Sequence, residues 1–177
     1  EIILNSGLSD LFDLVHLDTS HHDDLSTLGT VGLSNIFSAF KDYYLLLKLL
    51  VTKKPHMVYI PVSQTTIGYL RDSIFIILAK LFRKKVVCHL RGGNFKRWYA
   101  GTPALMKWYI RKIHSLVDIQ IVLGEKLRSL FEGIIPDNKI HVVPNGRNFH
   151  WSFDTKKYDT GHEKIRVLYL SNFDRTK

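Results

Sequence analysis

The sequence predicts an α/β protein with a Rossmann-like, doubly wound parallel sheet. Two patterns along the chain support this fold class: short, almost continuously apolar segments recur, and amphipathic segments of helical length separate them. Strands that helices cover on both faces have this continuous apolar character. The chain has 177 residues, of which 45% are hydrophobic and 23% charged. This size and composition are sufficient for one such domain with a substantial core.

Six apolar segments have the length of buried strands. They are residues 13–18, 57–62, 85–90, 119–123, 139–143 and 165–170. Because ligands of parallel α/β sheets bind beyond the carboxyl ends of the strands, the residues that follow each segment are the first candidates for a site.

The segments between these strands have helical periodicity. Apolar residues recur at i, i+3 and i+4 in residues 33–47, 67–81 and 105–116. Thr102 followed by Pro103 predicts an N-cap and a first helical position for the third of them. A short helix over residues 125–131 is expected to end at Gly133, a typical residue beyond a helix C-terminus.

The final strand follows a change in composition. Residues 148–164 are polar and aperiodic, which predicts a linker between a first domain at residues 1–147 and a second beginning with the strand in residues 165–177. The chain begins with Glu1 and ends soon after that strand. We therefore expect the N-terminal half of a two-domain protein, cut at both ends and lacking its own first strand.

The composition restricts the function classes. The chain has one cysteine, which excludes an internal disulfide framework and zinc-finger spacing and is typical of a reducing compartment. No apolar run has the roughly 20 residues that a bilayer span requires, and no leader pattern is evident, so a cytoplasmic protein is expected. Residues 21–24 (HHDD) lie in a Ser/Thr/Gly-rich segment that fits a solvated loop better than a metal site, and we expect neither metal nor cofactor.

The chain is strongly basic, with 25 Lys and Arg against 16 Asp and Glu, a net charge of +9 and a pI near 9.6. Such a surplus favours anionic partners: nucleic acid, an anionic membrane surface or a phosphorylated small molecule. The basic residues gather at 80–85, 91–97 and 107–112. These clusters fit peripheral contact with the inner face of a membrane, and they equally fit ordinary solubility charge.

Three segments together resemble the retaining glycosyltransferases of family 4. They are VVCHLRGGNF at 86–95, DIQIVLGEKLRSLFEGIIPDNKIHVVPNGRNF at 118–149, and IRVLYLSNFDRTK at 165–177. The resemblance implies the GT-B architecture, in which two Rossmann-like domains face each other across a cleft. The N-terminal domain would bind the acceptor and the C-terminal domain a nucleotide-sugar donor.

His89 is the main catalytic candidate. It ends a predicted strand, where a neutral imidazole could hydrogen-bond a ligand hydroxyl, although a packed strand histidine is the alternative. The resemblance matches it to the family histidine close to the transferred sugar. Arg91, Gly92, Gly93 and Asn94 follow as substrate-binding candidates. Glycines permit close backbone approach and Arg91 could bind a phosphate or carboxylate; the alternative is a turn with a solvated arginine.

Further candidates come from the other two segments. Asn145 and Gly146, also substrate-binding candidates, have the composition of a tight turn. The resemblance places this turn at the cleft near the domain crossover, and a structural role is favoured over substrate contact. Lys177 matches the family lysine that pairs with the donor diphosphate. Asn172 stands where the family pattern has an arginine, and Arg175 could substitute for it.

The loop beyond Asn94 places basic and aromatic residues together at 96–99 (KRWY). This composition fits a sugar ring, an isoprenoid phosphate or a membrane surface, or alternatively an apolar lid over the sheet edge.

The resemblance implies the acceptor-binding part of a retaining glycosyltransferase of the hexosyltransferase type. It would transfer a sugar from a nucleotide-sugar donor to a glycan or lipid-linked acceptor, for instance in polysaccharide biosynthesis. Because the donor half would be almost wholly missing, we expect the chain alone to be inactive. The alternatives are a basic, non-catalytic α/β module that binds nucleic acid or phosphorylated ligands, and a related sugar-nucleotide enzyme. No nucleic-acid motif is evident, so that partner is not expected.

Overall fold

The computed structural model describes residues 7–19 and 33–145. In this part of the chain four parallel strands form one sheet in the order β1-β2-β3-β4, flanked by helices. This confirms the predicted α/β, Rossmann-like fold class. The strands are Met57–Pro61 (β1), Lys85–His89 (β2), Ile119–Val122 (β3) and Ile140–Val142 (β4).

Four α-helices and three short 3₁₀ helices accompany the described strands. The α-helices are Leu33–Thr52 (α1), Thr66–Leu81 (α2), Phe95–Gly101 (α3) and Ala104–Ser115 (α4). The 3₁₀ helices are Gly7–Asp10, Glu125–Phe131 and Asp137–Lys139. None of the helices in these ranges is both long and apolar enough to span a bilayer.

The strand register separates the two faces of the sheet. Cys88 pairs with Ile60 and Gln120, all of them buried, on the face that the main hydrophobic core covers. His89 pairs with Pro61 and Ile121 in the next row. Since successive side chains of a strand point to opposite faces, His89 lies on the face away from this core.

Helices α1, α2 and α4 form one layer on the core side. The Tyr43 ring of α1 packs edge-on against Phe75 of α2, with ring centroids 5.1 Å apart. Between α2 and α4, the Ser73 hydroxyl lies 2.6 Å from that of Tyr109. These contacts join the helices laterally, while their inward side chains pack into the same cluster as the strands.

Asp118 connects this layer to the sheet. Its Oδ2 accepts hydrogen bonds from Lys80 Nζ of α2, at 2.9 Å, and from the Val86 backbone N–H of β2, at 2.7 Å. Partial burial alone would raise the pKa of Asp118, but these bonds and the charge of Lys80 lower it below its ordinary value. A single carboxylate thus links α2, β2 and the start of β3.

An aromatic cluster connects α4 to its neighbours. His114 of α4 is fully buried, with its ring centroid 5.3–5.7 Å from those of Tyr69, Phe95 and Phe131. Neither ring nitrogen has a hydrogen-bond partner among the described residues. Burial lowers the pKa of His114 to about 3, so the imidazole is neutral in the folded protein.

The predicted strand at residues 13–18 is wrong. Residues 13–19 form no strand, because Asp13, His16 and Asp18 leave this segment mostly solvated and it pairs with none of the described strands. The strand predicted at 165–170, and the linker before it, lie outside the described residues.

The predicted start of α4 is also wrong. Pro103 is the N-cap and Ala104 the first helical residue, while the Thr102 hydroxyl donates to the Tyr99 carbonyl at the end of α3. Residues 96–99, interpreted as a loop, belong to helix α3. The predicted ending at Gly133 is confirmed, since its φ of +69° lies in the left-handed region that favours glycine.

We predict that the buried histidine makes stability depend on pH. The unfolded chain takes up a proton on His114 near pH 6.5, whereas folding lowers that pKa to about 3. Stability is therefore complete above pH 6.5 and falls by about 2 kcal/mol between pH 8 and pH 5. The measurement is urea unfolding as a function of pH.

The control variants separate His114 from the other histidines. His114→Leu removes the titrating group and two unpartnered nitrogens, so most of the acid loss should disappear without destabilisation at pH 8. His141→Gln, at an exposed position, should keep the original dependence. An unaltered pH profile in His114→Leu would disprove the assignment.

Candidate functional site

The parallel sheet brings the loops after its strands to one edge. Residues 62–65 follow β1, residues 90–94 follow β2, Leu123 and Gly124 follow β3, and Asn145 lies three residues beyond β4. Because all four strands run in the same direction, their carboxyl ends share this edge. The candidates in the described part of the chain therefore lie where α/β sheets bind their ligands.

His89 forms a pair with Tyr59 of the neighbouring strand. The Tyr59 hydroxyl lies 2.5 Å from His89 Nδ1, and the two rings meet edge-to-face with centroids 5.8 Å apart. The residues approach because Pro61 pairs with His89 in the register, so Tyr59 stands on the same face, two residues earlier. A parallel register thus holds the imidazole in one orientation.

The pair determines which nitrogen of His89 is available. Burial, and then the positive charge of Arg91, lower the pKa of His89, so its ring is neutral near pH 7. A phenol is the better donor and an imidazole nitrogen the better acceptor, so the Tyr59 hydroxyl donates to Nδ1. The proton then resides on Nε2, which is buried and has no hydrogen-bond partner among the described residues. The site holds an oriented N–H donor.

Gly92 lies close to the end of the Gln64 side chain, so a larger residue here would displace that flexible amide rather than the backbone. A Cβ atom at this position would overlap Nε2 of Gln64, which follows β1. Gly93 has no such constraint, since a Cβ there would meet only Leu127 Cδ2 at an ordinary 3.7 Å. The two loops after β1 and β2 therefore touch through Gln64 and Gly92.

An open cavity of about 470 Å³ lies beside these loops. Gln64, Thr65, Thr66, Asn94, Arg97, Trp98, Gly101, Thr102 and Pro103 line it. Trp98 Nε1 donates to Thr66 Oγ1 at 3.1 Å, which fastens helix α3 to the first turn of α2. The cavity thus combines an aromatic ring, an arginine and amide groups, a set that suits a polar ligand with an apolar ring.

The structure brings together some of the predicted residues. His89 ends β2, and the exposed residues Arg91 and Asn94 flank Gly92 and Gly93 in the loop after it, but of these residues only Asn94 lines the cavity. Asn145, also exposed, follows the strand two places away in the sheet. Gly146, Arg175 and Lys177 lie outside the described residues.

Sequence reasoning missed Tyr59 and assigned no role to Gln64, although Gln64 lies among the residues after β1 that were candidates for the site. The signal for Tyr59 was the alternation of β1, where Met57, Tyr59 and Pro61 are exposed while Ile60 is buried. The signal for Gln64 was its position directly after a strand at the ligand-binding edge. Tyr59 was treated as part of an apolar strand, and Gln64 only as one of the residues that follow it.

Cys88 is not available as a nucleophile, and the described residues contain no metal-binding cluster. Cys88 is fully buried on the core face, and burial raises the pKa of its thiol, so the reactive thiolate does not form. Within residues 7–19 and 33–145, no three His, Cys, Asp or Glu side chains are close enough to bind a metal ion.

We predict that Tyr59→Phe releases His89 from a single tautomer. Nitrogen-15 NMR of the unaltered chain near pH 8 should show His89 with the proton on Nε2. The variant should show a mixture of the two tautomers and lose about 1 kcal/mol of stability. Tyr44→Phe, at an exposed position, is the control and should leave the His89 signals unchanged. A proton on Nδ1 in the unaltered chain would contradict the assignment.

Comparison with known proteins identifies no relative of the chain. Neither a protein-family model, nor a curated protein, nor a solved structure matches the chain. The glycosyltransferase resemblance therefore remains a resemblance of three segments.

Proposed function

We propose that the chain is the acceptor-binding part of a retaining glycosyltransferase. The enzyme would transfer a sugar from a nucleotide-sugar donor to a glycan or lipid-linked acceptor. The observation that carries this proposal is the neutral His89 at the carboxyl end of β2, oriented by Tyr59 with Nε2 unpartnered among the described residues. Sugar hydroxyls are acceptors that such a fixed N–H can bind once a ligand displaces the side chains that enclose it.

The neighbouring residues support a ligand that combines hydroxyls with negative charge. The exposed Arg91 guanidinium follows His89 by two residues and could bind a phosphate or carboxylate with two parallel hydrogen bonds. The close contact of Gly92 with Gln64 places an amide group beside the same loop. A sugar phosphate or an anionic acceptor presents both kinds of group.

The proposed chemistry requires no nucleophile from this chain. The acceptor hydroxyl would attack the face of the sugar from which the diphosphate leaves, and the departing phosphate would take up its proton. His89 would position the transferred sugar, and Arg91 would balance negative charge near the loop. Cys88 and His114 are enclosed and take no part.

We predict a strong loss of turnover when His89 is replaced. In the protein expressed from its complete reading frame, His89→Ala should lower turnover by about 10²–10³-fold, as is typical when one fixed hydrogen-bond donor is removed. Nucleotide binding, which the resemblance assigns to the other domain, should stay nearly constant. The measurements are sugar transfer from a panel of nucleotide sugars and calorimetric titration with the nucleotide.

His141→Ala is the matched control. His141 stands in the same cross-strand row as His89, two strands away and exposed, so its replacement should leave turnover unchanged. Normal turnover in His89→Ala would remove this residue from the site. If no sugar is transferred and random oligonucleotides bind with a steep salt dependence, the basic nucleic-acid module is the correct function.

A further inference from the structure

The layer formed by α1, α2 and α4 is apolar on its solvent side as well as on its inner side. We name this solvent side the outer face; its apolar members include Phe37, Phe40, Ile67, Leu70, Leu105 and Trp108. Their side chains are 42–76% exposed. On each helix the two members lie three residues apart, about one turn, and exposed apolar residues grouped in this way mark a site of protein or membrane contact.

Helix α2 shows most clearly that the outer face is apolar. Tyr69 and Ile76 are fully buried on its inner side, while Ile67, Leu70 and Ile74 recur at helical spacing on its outer side. A helix with one solvent-exposed side normally carries polar residues on that side. A helix that is apolar on all sides is normally buried on all sides. The sequence of α2 therefore fits a helix whose outer side is also removed from water.

The charge of the outer face distinguishes between an anionic lipid surface and a second copy of the chain as its partner. The three helices carry seven basic residues, whereas their only acidic residues, Asp42 and Asp72, are each 2% exposed. Lys41, Lys48 and Lys112 are exposed beside the apolar members, whereas Arg111, also exposed, donates from Nε to the Tyr99 hydroxyl of α3. Apart from the side chains of residues 33–36, which lie outside this description, the outer face thus has cations and no accessible carboxylate.

Helix α4 has the composition of a helix that lies in a membrane surface. Leu105 and Trp108 are 76% and 56% exposed, and the exposed Arg111 and Lys112 follow one turn later. Tryptophan favours the interface between lipid and water, and basic side chains bind anionic headgroups there. A second copy of the chain would instead bring like charges together.

We propose that the outer face of α1, α2 and α4 docks onto an anionic phospholipid surface. The apolar side chains enter the headgroup boundary and the flanking lysines and arginines bind the lipid phosphates. The proposal is independent of the proposed sugar transfer, because the face and the edge of the sheet share no residues. It also differs from the sequence expectation: of the three basic clusters, only that at residues 107–112 belongs to this face.

The test is cosedimentation of the full chain with vesicles of phosphatidylcholine, with and without phosphatidylglycerol, at low and high salt. We expect binding only with phosphatidylglycerol, weakened by salt, and a blue shift of tryptophan fluorescence that Trp108→Phe reduces. The pair Leu105→Gln and Trp108→Gln should weaken binding roughly tenfold. The pair Lys41→Glu and Lys112→Glu should do so at least tenfold, at about 1 kcal/mol per basic residue.

Val143→Gln is the control, since it changes an exposed apolar residue beyond β4 and should leave binding unchanged. Circular dichroism would establish that each variant is folded. Equal binding to both kinds of vesicle, or unaltered binding in both double variants, would overturn the proposal. A dimer in sedimentation velocity that the first double variant dissociates would assign the face to a second copy instead.

Discussion

The pairing of β2 with parallel strands on both sides is the constraint on which the rest of the structure depends. Parallel neighbours cannot be joined by a tight turn, so each connection has to cross the sheet as a helix or long loop. The helices then accumulate as a layer, and the strands all end at the same edge. The core of α1, α2 and α4, the cavity beside Asn94 and the position of His89 all follow from this one arrangement.

The two faces of the sheet consequently have different roles. On one face Val86 and Cys88 are fully enclosed by the helix layer, which provides most of the hydrophobic stabilisation. On the other face Tyr59 is 37% exposed and His89 is only partly buried. A partly open face can hold a polar pair near the edge of the sheet, whereas the enclosed face could accept such a pair only at a large desolvation cost.

The sequence predicted those features whose cause is local. The positions of β1 to β4 were correct within about two residues because apolar segments bounded by polar turns define them. Helix α3 was missed because Gly92, Gly93 and Asn94 indicated a continuing loop, while Phe95 becomes buried only through tertiary contacts with Phe131 and His114. The Tyr59–His89 pair could not be predicted either, because the two residues are 30 positions apart and meet only through the register between their strands.

Buried polar atoms without a partner occur both in the core of the described chain and at the candidate site. His114 and Gln120 are fully enclosed, so no ligand can satisfy their unpartnered atoms and they remain a cost to folding. His89 Nε2 and Gln64 Oε1 are also unpartnered, but both residues are only partly buried and lie at the edge where the strands end. Both atoms are themselves enclosed, so a ligand reaches either of them only if the side chains around it move on binding. A sugar hydroxyl, which is donor and acceptor at once, meets the requirement of either residue.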